Sequence, residues 1–156
     1  MKYILFILGL TLSFTIFAKD CTGQNTSTWS DCTGTMSFSN GDKYVGDYKN
    51  GKRSGKGVYY SFKGHKYEGE YENNKPNGQG IQTFANGERH EGLYKDGKLN
   101  GIGKRFYVSG SIYEGEFVEG KISGQGIYVS GVSTPFPGDR YVGSYKDGKK
   151  FNPKKS

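Results

Sequence analysis

The chain repeats itself every 23 residues, and this constrains its fold more than any other feature. Tyr44, Tyr67, His90 and Tyr113 stand 23 apart, and Tyr141 follows after 28. Two positions on, glycine recurs as Gly46, Gly69, Gly92, Gly115 and Gly143. Two further on, an aromatic recurs as Tyr48, Tyr71, Tyr94, Phe117 and Tyr145. A Gly-x-Gly pair follows at 55/57, 78/80, 101/103 and 124/126. Residues 32–43 match the second half of a copy and residues 141–150 the first half. A chain of this kind folds as stacked like units, each completing the core of its neighbours.

Each half copy has strand character. In YEGEY (67–71) the side chains of Tyr67, Gly69 and Tyr71 share one face of an extended chain, and Glu68 and Glu70 point the other way. The second half, as in GIQTFANG (80–87), carries β-formers and an aromatic. Asn-Gly and Asp-Gly between the halves tolerate positive φ and mark tight turns. One copy is therefore a β-hairpin, with no proline expected in any strand. Glycine within a strand weakens it unless something approaches the backbone closely. Gly69 thus predicts a gap in which a ring from a neighbouring strand, or from the Gly-x-Gly segment, lies flat. The expected fold is all-β, a single-layer elongated antiparallel sheet of about ten strands from consecutive β-hairpins.

YVGDYKNGKRSGKG (44–57), YEGEYENNKPNGQG (67–80), HEGLYKDGKLNGIG (90–103) and YEGEFVEGKISGQG (113–126) resemble MORN repeats (membrane occupation and recognition nexus). The resemblance covers 44–150 and half of 32–43. It departs at Asn74, at His90 and in the longer fourth copy. It implies a single-layer sheet of hairpins acting as an interaction module, sometimes linked to membranes, with no catalytic activity.

The organisation that follows is a signal peptide at 1–18, an N-terminal cap with a half repeat at 19–43, and repeats at 44–66, 67–89, 90–112 and 113–140. The last of these holds an insertion, and a terminal half repeat with a basic tail occupies 141–156. Residues 1–18 carry Lys2, then an apolar run ending at Ala18, as a cleavable secretory signal does. The run is too short for a membrane anchor. Lys19 and Asp20 before Cys21 do not fit an acylation signal. A secreted or periplasmic location is expected, with Cys21 and Cys32, the only cysteines, joined as a disulfide. The Asn25-Thr26-Ser27 triplet fits a glycosylation acceptor, in itself a weak signal.

No constellation here points to catalysis, a metal or a cofactor. Gly-x-Gly lacks the basic anchor and helix of a phosphate loop. Asp47, Glu70 and Glu116 share one repeat position, as a solvated face does. His65 and His90 are expected to pack or to lie at the surface. Two features are candidates for binding. One is the face of Tyr44, Tyr48, Tyr67, Tyr71, Tyr94, Tyr113, Phe117, Tyr141 and Tyr145, which is either the core of a thin sheet or a docking surface. The other is basic charge, at Lys49, Lys52, Arg53 and Lys56 and at Lys149, Lys150, Lys154 and Lys155, in a chain of net charge +7. It serves solubility or meets anionic lipid. Nucleic acid is not expected of an exported chain. The reading is a non-enzymatic scaffold for an unidentified protein partner or an envelope surface. The alternatives are an anionic-membrane module using Lys149, Lys150, Lys154 and Lys155, and a glycan-binding accessory module. The 128–140 insertion is a candidate partner loop, and the oligomeric state stays open.

Overall fold

The computed structural model describes residues 19–23 and 25–151. The expected signal segment, Lys154 and Lys155 lie outside the described residues. One 12-stranded sheet runs in strict chain order. Its full strands are β2 (Cys32–Ser37), β3 (Lys43–Lys49), β4 (Lys52–Tyr60), β5 (Lys66–Glu72), β6 (Lys75–Thr83), β7 (Arg89–Lys95), β8 (Lys98–Phe106), β9 (Ile112–Val118), β10 (Lys121–Val129) and β11 (Arg140–Lys146). Two-residue stubs, β1 (Lys19–Asp20) and β12 (Lys149–Lys150), complete the edges. The full strands are the ten that the repeat count predicts.

Each copy closes through a two-residue turn with both φ angles positive: 51° and 73° at Asn50-Gly51, 51° and 88° at Asp96-Gly97. Two-residue turns of this hand match the twist of the flanking strands. Asn74, where the other copies have glycine, keeps the same geometry at φ 72°. One expectation fails: Pro76 lies within β6. Its pairing with β7 begins only at Gly78, so the missing N–H costs no ladder bond. The Pro76 carbonyl still accepts the Gly97 N–H at 2.8 Å.

The core explains Gly-x-Gly. The ring over Gly69 is not a neighbour's but that of Tyr67 itself. It leans across its own hairpin onto Gly69 and Gly80, and its hydroxyl donates to the Glu70 carbonyl at 3.2 Å. A Cβ on Gly80 would lie 2.5 Å from Tyr67 Cζ. The first glycine of the pair does a different job. Gly78 has φ 104° where the β5–β6 register shifts between Gly69 and Tyr71, a bulge that favours glycine. Tyr44 and Tyr113 repeat the arrangement, donating to Asp47 O at 3.1 Å and Glu116 O at 3.2 Å.

Successive rings meet edge to face. Tyr44 contacts Tyr71 at 5.1 Å between centroids, and Tyr67 contacts Tyr94 at 5.0 Å. Trp29 begins the ladder against Tyr48 at 4.8 Å. It is buried over Gly34, with its indole N–H donated to the Thr22 and Gly23 carbonyls. The Cys21–Cys32 disulfide forms. It holds residues 19–21 against β2 in parallel pairing, so the sheet is antiparallel except at this edge.

Candidate functional site

Eight of the nine aromatic candidates are buried: Tyr44, Tyr48, Tyr67, Tyr71, Tyr94, Tyr113, Phe117 and Tyr145. Tyr141, at the end of the ladder, is half-buried. This face is the core of the sheet. Burial raises the pKa values of the seven buried tyrosines above the ordinary tyrosine range, Tyr113 and Tyr145 to about 12. A thin layer achieves this because Tyr44, Tyr67 and Tyr113 cover glycine and the rings between them pack edge to face on these. In the third copy His90 leaves that place vacant, and Leu99 fills it, within van der Waals reach of Gly92 and Gly103. The ladder therefore breaks between Tyr94 and Phe117. Leu99 was legible only in hindsight, as the apolar residue that accompanies the one missing lead tyrosine. Arg53, at the same position, sits 5.5 Å over the rings of both Tyr44 and Tyr71.

Among the described residues, nothing covers the opposite face. It exposes Ile81, Leu93, Ile102 and Val142, Ile102 being 62% exposed. The recurring acids lie on this face but are not simply solvated. Asp47 accepts the Lys56 N–H at 2.9 Å, Glu70 the Gln79 N–H at 3.2 Å and Glu116 the Gln125 N–H at 2.9 Å. Each satisfies the amide that a bulge leaves without a ladder partner. Glu68 and Glu114 pair with Lys66 and Lys104 at 2.7 and 3.1 Å. This is bulge capping and surface pairing, not paired-carboxylate chemistry.

The two edges differ. At the turn edge each copy bonds to the one before: Gly51, Asn74, Gly97, Gly120 and Gly148 donate their N–H groups to Trp29, Arg53, Pro76, Leu99 and Ile122 carbonyls at 2.7–3.0 Å. Lysines follow the same step, Lys75 to Asp96 at 2.9 Å and Lys98 to Glu119 at 2.6 Å. Of the proposed lipid contacts, Lys150 sits over the Tyr141 ring at 4.3 Å, and Lys149 lies exposed beside it in β12. The inter-copy loop edge carries exposed apolar tips instead: Phe62, Val108, Val132 and Phe136. The last two belong to the insertion. It packs back on the preceding loop through Gly131 N–H to Ser111 Oγ at 2.9 Å.

His65 and His90 both pack on Phe84, with centroids at 5.7 and 4.8 Å. Burial lowers the His90 pKa below the ordinary histidine range, against the pull of Glu88, 2.6 Å away. Among the described residues no group of three or more His, Cys, Asp or Glu stands ready to hold a metal. None of their helices is long and apolar enough to cross a membrane.

No curated protein matches the chain significantly. The MORN repeat profile matches residues 44–66, 67–89, 90–112 and 113–132, stopping inside the longer fourth connection. Four consecutive matches cover more than half of the chain and coincide with four hairpins of one continuous sheet, so the chain belongs to the MORN repeat family.

Proposed function

We propose that this chain is a non-enzymatic docking platform for another protein, acting in an oxidising compartment outside the cytoplasm. MORN repeats are commonly involved in protein or membrane interactions, and the Cys21–Cys32 disulfide is compatible with export. The observation that carries the reading is the uncovered face. The aromatic side has closed into a core, while Ile81, Leu93, Ile102 and Val142 stay exposed on the other side. Apolar residues grouped on a rigid surface mark an interaction site. A photo-crosslinker at Ile102 should capture one discrete protein in the native envelope, and Leu93→Lys should abolish that capture. The same crosslinker at Asp147, in the last turn, should not capture it. Equal labelling from both positions, or none from Ile102, overturns the reading.

The loop edge favours a second reading, an anionic membrane surface. Phe62, Val108, Val132 and Phe136 project there, with Lys63 beside Phe62. Apolar tips with cations fit a lipid interface. Cosedimentation with anionic but not neutral vesicles, lost with rising salt and with Phe136→Ser, supports it. A chain that stays in the supernatant with both vesicle types excludes it.

A further inference from the structure

The second and third copies depart from the repeat at two facing positions. His90 stands where every other copy leads with tyrosine, and Gln82 stands where the first and fourth copies hold Tyr59 and Tyr128. Gln82 and His90 are direct cross-strand partners on β6 and β7. Shortening both side chains opens a groove of about 500 Å³ with Tyr94 and Leu99 at its base and Tyr59, His65 and Phe84 among its walls. Both histidines of the chain line this one groove. Tyr59, His65 and Phe84 are only half-buried, so parts of their rings face the space.

Its polar groups are poised rather than spent. His65 accepts the Ala85 N–H on Nδ1 at 3.2 Å, which puts the proton of its neutral ring on Nε2. The Gln82 amide makes only a long bond, 3.4 Å, to the Thr83 carbonyl of its own strand. The charges near by are compensated. Lys98 is bonded to Glu119 at 2.6 Å, and Glu88 lies 2.6 Å from His90 and 2.8 Å from Arg105. Aromatic walls, a histidine ring nitrogen, an amide held by one long bond and no uncompensated charge do not suit a phosphate or a carboxylate. They suit a neutral ring with an apolar face and hydroxyl groups at its rim.

We propose that this groove binds a neutral hexopyranose unit of a glycan chain, with the ring against Phe84 and Tyr59 and its hydroxyls meeting Gln82 and His65. The site lies on the face opposite the protein-docking surface and does not depend on that reading. The test uses residues 19–156 with chitohexaose and cellohexaose as probes, followed by calorimetry and by amide chemical shifts. At least one hexasaccharide should bind saturably and shift His65, Gln82, Phe84 and Tyr94. Gln82→Leu should weaken binding several-fold. The double variant Gln82→Tyr, His90→Tyr restores the repeat's own residues and fills the groove. It should stay folded and lose affinity about tenfold or more. Saturable binding by neither probe, or full-strength binding by the folded double variant, overturns the proposal.

Discussion

At the scale of single residues, the two glycines of Gly-x-Gly have separate physical tasks, and substitution should tell them apart. Gly80→Ala places a Cβ 2.5 Å from Tyr67 Cζ, against a buried ring held by its own hydroxyl bond. Overpacking of this kind costs about 1–3 kcal/mol, and the upper end is expected here because the ring also bonds across its hairpin. Gly87→Ala, at φ 90° with open space around it, should cost only the left-handed strain of about 1 kcal/mol. Urea unfolding of the two variants measures the difference. The buried tyrosines set a pH limit as well. Their folded-state pKa values lie above the unfolded value of 10.0, those of Tyr113 and Tyr145 at about 12. Their neutral form is therefore favoured by folding. That contribution is fully present below pH 10 and is lost as pH rises from there through about 12. Thermal melts should hold steady up to about pH 10 and then drop, with phenolate absorbance rising together with unfolding. Phenolate absorbance that rises near pH 10 in the folded chain would show the rings to be solvated.

Among the elements, the turn edge combines a strong and a weak link between copies. The strong link is backbone: a glycine or Asn74 N–H reaching the preceding copy, which needs both turn residues at positive φ. The weak link is the lysine staircase. The Lys75–Asp96 pair is more than half exposed on both sides, and exposed pairs contribute about 0–1 kcal/mol. Asp96→Asn should therefore change stability by less than about 0.5 kcal/mol. Gly120→Ala, at φ 80°, should cost about 1–2 kcal/mol. Chemical denaturation of both variants checks the order, and the reverse order would mean that the ion pairs, not the turns, hold neighbouring copies together.

For the whole molecule, a sheet in strict chain order means that each copy touches only its neighbours, so stability is a sum of local terms. The disulfide then acts on one end. Reducing Cys21–Cys32 should lower stability by about 2–3 kcal/mol, with the loss confined to the N-terminal strands. Hydrogen exchange should show β1 and β2 losing protection while β5 to β10 keep theirs. Uniform loss across the sheet would mean that the array unfolds as one cooperative unit. The opposite edge ends in β12, where Lys149 and Lys150 cover the open strand, a placement that discourages pairing with another chain.

Much of the fold was legible in the chain. The 23-residue spacing set the hairpins, Asn-Gly and Asp-Gly set the turns, and alternation put Tyr67, Gly69 and Tyr71 on one face. The family followed from the same residues. The site was far less legible, because strand alternation tells which side a ring faces but not what covers it. That the rings of Tyr44, Tyr67 and Tyr113 fold over their own hairpins depends on hydroxyl bonds to the carbonyls three residues on, and this turned a candidate docking face into a core. The bulges recruited Asp47, Glu70 and Glu116 as amide acceptors, a use of carboxylates that no pattern of charges reveals. Gln82 and His90 are eight apart in sequence and His65 is further off, yet sheet register sets all three around one groove. The sequence by itself determined the repeat, its period and its strands, because these are properties of neighbouring residues. Only the tertiary structure decided which surface is buried, which is bare and where the repeat leaves a space, because those depend on how side chains from different copies meet.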